Sequence, residues 1–239
     1  YLARAGLRVR ILERRGVVGG AAATEEFHPG FRNSVASYTV SLLQPKVIRD
    51  MQMERHGLKV VLRKRDNFLP GDGEYLLAGR GGLTRKEIVR HCKSDGEAYD
   101  RYMAELDGLV PLIRKWLFRS PPNAGAGIAG SRSLLTLGRD LVGMSVAQTR
   151  ILHDFATRSA ADILNRHFSG EMAKALFAFD GVVGNFASPH TPGTAYVLLH
   201  HVFGEVNGKK GAWGHVPGGM GTITKLMAEA VREAGGEIV

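Results

Sequence analysis

Apolar side chains keep two rhythms along this chain. Behind Ser94, the residues Tyr99, Tyr102, Met103, Leu106, Leu109, Val110 and Ile113 recur every three or four positions, which puts them on one buried helix face. The same rhythm returns at Ser131–Gly143, across Ala147–Phe179, at Thr194–Phe203 and from the turn after Val216 to Ala234. Short apolar runs mark strands at Leu7–Leu12, Leu58–Lys64, Glu74–Leu77 and Ala212–Val216. Pro70-Gly71-Asp72-Gly73 reads as the hairpin turn between the second and third. A helix is expected from about Tyr38 to Met53. Thr84 with Glu87, and Ser94 with Glu97, have the spacing of capping boxes, in which both side chains satisfy orphan backbone amides.

The two ends carry the chemistry. Tyr1–Ala5 reads as the end of a helix with Gly6 as its left-handed cap, and the following strand ends at Glu13. In a dinucleotide-binding unit, a strand runs into G-x-G-x-x-G and an acid about 20 residues later accepts from the ribose hydroxyls. Glu13 stands where that acid belongs, and the glycine loop is expected before Tyr1. Gly19-Gly20 would let backbone amides approach a phosphate or ribityl chain without a β-carbon in the way. A second string, Gly125–Gly130, satisfies G-x-G-x-x-G to the letter but follows Pro121-Pro122, which forbid the central strand that would aim it. It is read as part of a loop from Pro121 to Gly130. Near the far end, Pro217–Gly221 is a glycine-rich turn, and Glu237-Ile238-Val239 begins a strand.

Composition narrows the classes. The chain has 239 residues, enough to bury a core in one large domain or two small ones. No apolar run approaches the roughly 18 residues of a membrane span. Tyr1–Gly6 shows no secretory leader. Cys92 is the single cysteine, which excludes an internal disulfide or redox dithiol and favours a reducing, cytoplasmic setting. The net charge of +9 comes in short clusters such as Arg63-Lys64-Arg65 and Lys209-Lys210, without interleaved aromatic residues, so a nucleic-acid partner is not expected.

Two longer strings resemble a known family. Leu2–Arg15 followed by Val18-Gly19-Gly20-Ala21-Ala22 looks like the second half of an FAD-binding N-terminus, as in phytoene dehydrogenase and amine oxidase-like flavoproteins. Ser188-Pro189-His190-Thr191-Pro192-Gly193-Thr194-Ala195-Tyr196-Val197-Leu198-Leu199-His200-His201 and Gly211–Gly221 resemble one branch, the pyridine nucleotide-disulfide oxidoreductase domain-containing protein 2 family.

That resemblance implies an α/β fold. An FAD-binding, Rossmann-like domain of the glutathione reductase type would carry an inserted substrate domain of an antiparallel sheet plus helices. It implies residues 1–35 and 211–239 in the FAD domain, truncated at both ends, and 36–210 in the insertion. FAD would be held by Glu13, Arg14, Gly19, Gly20, Ala21, Ala22, Gly218, Gly219 and Met220, with Val239 near the adenine. Of the Gly218–Met220 turn, two readings stay open: a tight reversal, or a passage close to the flavin with β-carbons excluded.

The implied activity is hydride transfer between flavin and a C–H bond of an apolar or isoprenoid-like substrate. The rivals are a flavin amine oxidase of the same fold and a non-catalytic binding protein resembling Rab GDP-dissociation inhibitors. A flavin carries the two-electron chemistry itself, so no nucleophile or triad is needed. His190, His200, His201 and His215 are the acid–base candidates, and Arg32 and Tyr38 lie near the glycine pair in sequence. Adjacent histidines lack the spacing of a helical metal pair, and no metal is expected. The expected partners are a small apolar substrate and, among surfaces, a peripheral membrane contact. The expected compartment is cytoplasmic, or the mitochondrial matrix in a eukaryote.

Overall fold

The computed structural model describes every residue except Ala124, and every side chain except those of Ala124, Ala129 and His201. The fold is mixed α/β and divides into two compact units, Tyr1–Arg63 with Gly204–Val239, and Lys64–Phe203. The unit inserted in sequence therefore runs from Lys64 to Phe203, whereas the resemblance implies 36 to 210.

In the first unit, Gly6 takes the left-handed cap (φ 84°) of a single 3-10 turn, Ala3–Ala5. Strand Arg10–Ile11 then pairs in parallel with Glu237–Ile238. The ladder extends past both strands, because Val239 N–H donates to Ile11 O at 2.9 Å and Glu13 N–H donates to Val239 O at 2.7 Å. This is the parallel pair among the described residues; the other four two-stranded sheets are antiparallel.

A hairpin that periodicity did not reveal follows, Thr24–His28 against Phe31–Ser34, turning at Pro29-Gly30. Its first strand opens Thr-Glu-Glu, too polar to register as an apolar run. The expected helix from Tyr38 to Met53 shrinks to Pro45–Asp50. Val40 bridges Gly214 instead, and Gln44 is extended, as a residue before proline prefers to be. Strand Val61–Leu62 pairs with Gly214–His215. Val40, Met53, Leu58, Val206, Ala212, Val216, Met220, Ile223 and Leu226 form the core, the last three on or beside helix Gly221–Glu233.

In the second unit, the predicted turn Gly71–Gly73 does make a hairpin, but its first strand is Arg65–Pro70 and its second Tyr75–Gly79. Arg65-Asp66-Asn67 hid that strand, since charge on an exposed face erases the alternation. Helices Leu83–His91 and Asp95–Trp116 follow. The anticipated stripe packs as expected: Tyr102, Leu106, Leu109 and Val110 are buried, with Tyr99, Met103 and Ile113 against them. Tyr102 meets Phe168 and Phe177 at ring-centroid distances of 5.4 and 5.1 Å. Each such fully buried large side chain contributes about 1.5–3 kcal/mol.

Neither anticipated capping box forms. Thr84 Oγ1 instead exchanges hydrogen bonds with both backbone groups of Gly79, and Glu87 accepts from Leu77 N–H. The side chains tie helix to strand rather than closing the helix on itself. Ser94 meets Cys92. True boxes occur at Ser145 with Gln148 and at Ser159 with Asp162, opening helices Val146–Thr157 and Ala160–His167. Helix Gly127–Val142 begins earlier than expected, so the loop after Pro121 is short. Helix Glu171–Asp180 has its N-terminal amides satisfied from afar: the buried Asp95 carboxylate accepts from Ser169 and Gly170 N–H at 2.9 and 2.8 Å.

At the other end of that helix, burial holds the Asp180 carboxyl well above the usual carboxylate range, and the charge of Asp66 adds to the effect. The folded state therefore keeps a proton that the unfolded chain releases. Stability is fully present below the ordinary carboxylate pKa and falls as pH rises toward the folded value. Asp180→Asn is expected to flatten that decline, so its melting temperature gains on wild type as pH goes from 4 to 8. The gain is about 2–4 °C per kcal/mol for a chain of this size. Parallel pH profiles of the two proteins would contradict the buried proton.

Candidate functional site

The acid and the final strand predicted from sequence come together in the first unit. Glu13 follows the carboxyl end of strand Arg10–Ile11, and its own N–H binds Val239 O. Its carboxylate is steadied by Arg15 N–H, which donates to Oε1 at 3.0 Å. The Arg15 side chain pairs with Glu25 on the hairpin, anchoring the turn that follows. Arg14 is exposed beside Glu13. A partly exposed carboxylate at the carboxyl end of a parallel strand is the acceptor that ribose hydroxyls need.

Gly19 and Gly20 differ in what demands glycine. Gly19 has φ 137°, and a β-carbon there would lie 2.8 Å from Thr224 Oγ1 and 3.2 Å from Ala23 N. Helix Gly221–Glu233 thus presses directly on this turn, and Thr224 Oγ1 also donates to Val18 O at 3.3 Å. Gly20 has φ 51°, and nothing lies within 4 Å of its missing β-carbon. The turn continues as a 3-10 turn, Gly20–Ala22, with Ala21 exposed and Ala22 half-buried. An open glycine backbone is what a pyrophosphate or ribityl chain needs to approach the amides closely.

The second glycine turn serves the chain itself. Gly218 and Gly219 have φ 84° and 83°. A β-carbon at Gly219 would lie 2.3 Å from Thr24 Oγ1 and 3.2 Å from Ser34 Oγ; one at Gly221 would lie 2.7 Å from Thr24 N. The space is needed because those hydroxyls cap the helix. Ser34 Oγ accepts from Met220 N–H at 3.0 Å, and Thr24 Oγ1 accepts from Gly221 N–H at 2.9 Å. Met220 is 8 % exposed, in the core. Of the two readings left open for this turn, the contacts of Thr24 and Ser34 account for the missing β-carbon at Gly219 as a tight reversal. Gly218 is the exposed member of the trio. Nothing in the sequence singled out Thr24 or Ser34, because lone hydroxyls in a polar strand carry no spacing signal.

The candidate histidines are spread over both units. His190 and His200 belong to the second unit and His215 to the first. His190 is exposed in the loop after Ser188. His200 meets the rings of Tyr196 and Phe203, each edge-on at 5.7 Å, and burial lowers its pKa. His215 is exposed on its strand, and the His201 side chain lies outside the described residues. Arg32 is exposed, and Arg63 stacks over Tyr38 at 5.5 Å. No group of three or more metal-ligating side chains occurs among the described residues.

The family-like string around His190 is a structural strap. Pro189 O accepts from Ala161 N–H, Gly193 N–H donates to Thr157 O, and buried Thr194 accepts from Ala160 N–H. Likewise Gly214 sits in the other string because its β-carbon would fall 2.4 Å from Val60. The Gly125–Gly130 string opens a helix whose preceding described element is helix Asp95–Trp116 rather than a strand, so it is not a strand-to-helix phosphate turn. Two cavities, of about 210 Å³ around His56 and about 590 Å³ around Trp116, include none of the predicted site residues.

A model of the family described as "Flavin containing amine oxidoreductase" matches residues 1–239. Over its full length the chain is 37 % identical to pyridine nucleotide-disulfide oxidoreductase domain-containing protein 2 of Mus musculus, of which it covers 44 %. One polypeptide of the limonene dehydrogenase of Castellaniella defragrans is 31 % identical over 61 % of the chain and 27 % of that relative. A solved structure from a redesign of cofactor binding in putrescine oxidase shares the fold, with a TM-score of 0.54 at 19 % identity. That match covers 99 % of this chain and 46 % of the other. The chain thus spans less than half the length of each of these relatives.

The glycine contacts yield a direct test. Gly30 and Gly219 share nearly the same φ, 80° and 83°, but only Gly219 is crowded. Gly30→Ala isolates the backbone strain, about 1 kcal/mol. Gly219→Ala is expected to cost about 1–3 kcal/mol more, through overpacking and a displaced cap. Urea unfolding of the two variants with equal losses would rule out the Thr24 contact as the reason for glycine.

Proposed function

The chain belongs to the flavin-containing amine oxidoreductase family, and we propose that it provides part of the FAD site of an oxidoreductase acting on a C–H bond of an apolar, isoprenoid-like substrate. The observation that carries the cofactor assignment is Glu13 at the carboxyl end of a parallel strand pair, followed by the open glycine at Gly20. The geometry fits the group: a carboxylate for ribose hydroxyls, a bare backbone for phosphate, and the Val239 strand end alongside for the adenine. Bound FAD supplies the two-electron acceptor. The chain's own groups do the holding and orienting. Glu13 accepts from the ribose, Arg14 flanks it, and Gly19-Gly20 with Ala21-Ala22 line the pyrophosphate and ribityl side. Gly218 is the member of the second turn with access to a ligand. A Rossmann-like sheet of the glutathione reductase type is part of the same reading, with the parallel pair as its start.

Two considerations bear on the substrate. The limonene dehydrogenase relative supports an apolar hydrocarbon. The family description and the putrescine oxidase fold support the second reading, an amine. Anaerobic addition of a monoterpene or of a diamine to the FAD-loaded protein carrying the whole site distinguishes them by which one bleaches the flavin. The expected outcome is bleaching by the hydrocarbon.

Two charge-assisted hydrogen bonds from a ribose to Glu13 are each worth about 1.5–3 kcal/mol. In a protein carrying the whole FAD site, Glu13→Ala is therefore expected to weaken FAD at least about tenfold, read as a fluorescence-titration Kd. Gly20→Val is expected to abolish flavin retention and Gly127→Ala to leave it intact. An unchanged Kd in Glu13→Ala, or the reverse pairing of the glycine variants, would falsify the site.

A further inference from the structure

Between Asp107 and Asp154 the sequence carries one acid, Asp140, against six basic residues: Arg114, Lys115, Arg119, Arg132, Arg139 and Arg150. That net of five positive charges is more than half of the chain's +9. The acid is already engaged. Asp140 is held by Lys115, by Arg119 at 2.6 Å and by Trp116 Nε1 at 3.2 Å, and Lys115 leads the effects that keep its carboxyl below the ordinary range. These contacts fix one side of helix Gly127–Val142 against the end of helix Asp95–Trp116.

The opposite side of the same helix is apolar and bare. Ile128, Leu135 and Val142 are 77, 73 and 86 % exposed. Their seven-residue spacing confines them to an arc of about 40° on a helix turning about 100° per residue. Arg132 and Arg139 flank them one step around, also exposed, and Ser131 and Gly138 lie on the other flank. Just beyond the helix, Val146 is 82 % exposed, and Phe118 ahead of it is 58 % exposed. An apolar stripe bordered by arginines, with its one acid turned inward, has the charge and shape of an interfacial helix.

We propose that helix Gly127–Val142 docks on an anionic lipid surface, with Ile128, Leu135 and Val142 entering the acyl boundary and Arg132 and Arg139 meeting the phosphate headgroups. The arginines select the occupant, because an apolar second copy or a neutral protein surface would leave them uncompensated, whereas a leaflet of anionic lipid attracts each one. No helix among the described residues is long and apolar enough to cross a membrane, so the contact lies in the interface.

The test is co-sedimentation of the purified chain with vesicles of phosphatidylcholine alone or mixed with phosphatidylserine. Binding is expected only to the mixed vesicles and is expected to weaken with salt. Arg132→Glu/Arg139→Glu should lower partitioning roughly thirtyfold or more, and Leu135→Glu at least about tenfold. Arg8→Glu/Lys59→Glu, equal in net charge but on exposed positions of the other unit, should bind nearly as wild type. Circular dichroism should show all variants folded, and Ile128→Glu replaces Leu135→Glu if that one is not. Three results would overturn the proposal: no binding to mixed vesicles, equal losses in the helix and control pairs, or a dimer in light scattering that Leu135→Glu dissolves.

Discussion

Two hydroxyl groups organise the first unit. Thr24 and Ser34 stand at paired ends of one hairpin and accept hydrogen bonds from the first amides of helix Gly221–Glu233, almost two hundred residues later in the chain. A helix N-terminus left without such partners loses about 1 kcal/mol per cap. The approach is possible only because Gly219 and Gly221 lack β-carbons, which would collide with Thr24. Once the helix is seated, Thr224 on its first turn presses on Gly19. The glycine turn next to Glu13 is therefore shaped by a helix from the other end of the sequence. The two glycine turns share one packing problem, and of Gly19, Gly20, Gly218, Gly219 and Gly221 only Gly20 has open space where a β-carbon would lie.

The second unit solves a different problem, the joining of short helices. Its buried face is continuous from Tyr102 through Phe168 and Phe177. The helix ends are satisfied at a distance, by Asp95 for Ser169 and Gly170 and by Thr194 for Ala160. The string around Ser188–Gly193 is part of that stitching, with its carbonyls and amides spent on neighbouring helices. Likeness in that string reports a shared scaffold. His190 rides on it at the surface rather than being aimed by it.

Charge follows the same logic. Basic residues look alike in a sequence, but several are paired with nearby acids: Arg85 with Asp100, Arg158 and Arg166 with Asp154, Arg15 with Glu25. The stretch around helix Gly127–Val142 is distinguished by what its single acid does. Asp140 turns inward, and the outward side is left apolar and positive.

Much was legible beforehand. The long-helix stripe, the strand before Glu13, its parallel partner's position at Glu237–Val239 and the hairpin turn at Gly71–Gly73 all follow from local periodicity and turn chemistry. The family resemblance rested on ordered strings that survive without tertiary information. What periodicity hid was whatever depends on distant partners. The Thr24–His28 strand is polar because its hydroxyl serves a helix and its glutamates face solvent or Arg15. The capping boxes at Thr84 and Ser94 failed because nearer backbone groups, or a neighbouring thiol, took those hydroxyls. Two glycine positions singled out alike in the sequence, Gly20 and Gly219, have opposite surroundings, since spacing records that a β-carbon is missing but not what stands in its place. Local sequence determined the long buried helix stripe and the place of Glu13 just past a strand end. The tertiary structure decided which glycine is open and which hydroxyl caps, because those depend on atoms brought within 3 Å from the far end of the chain.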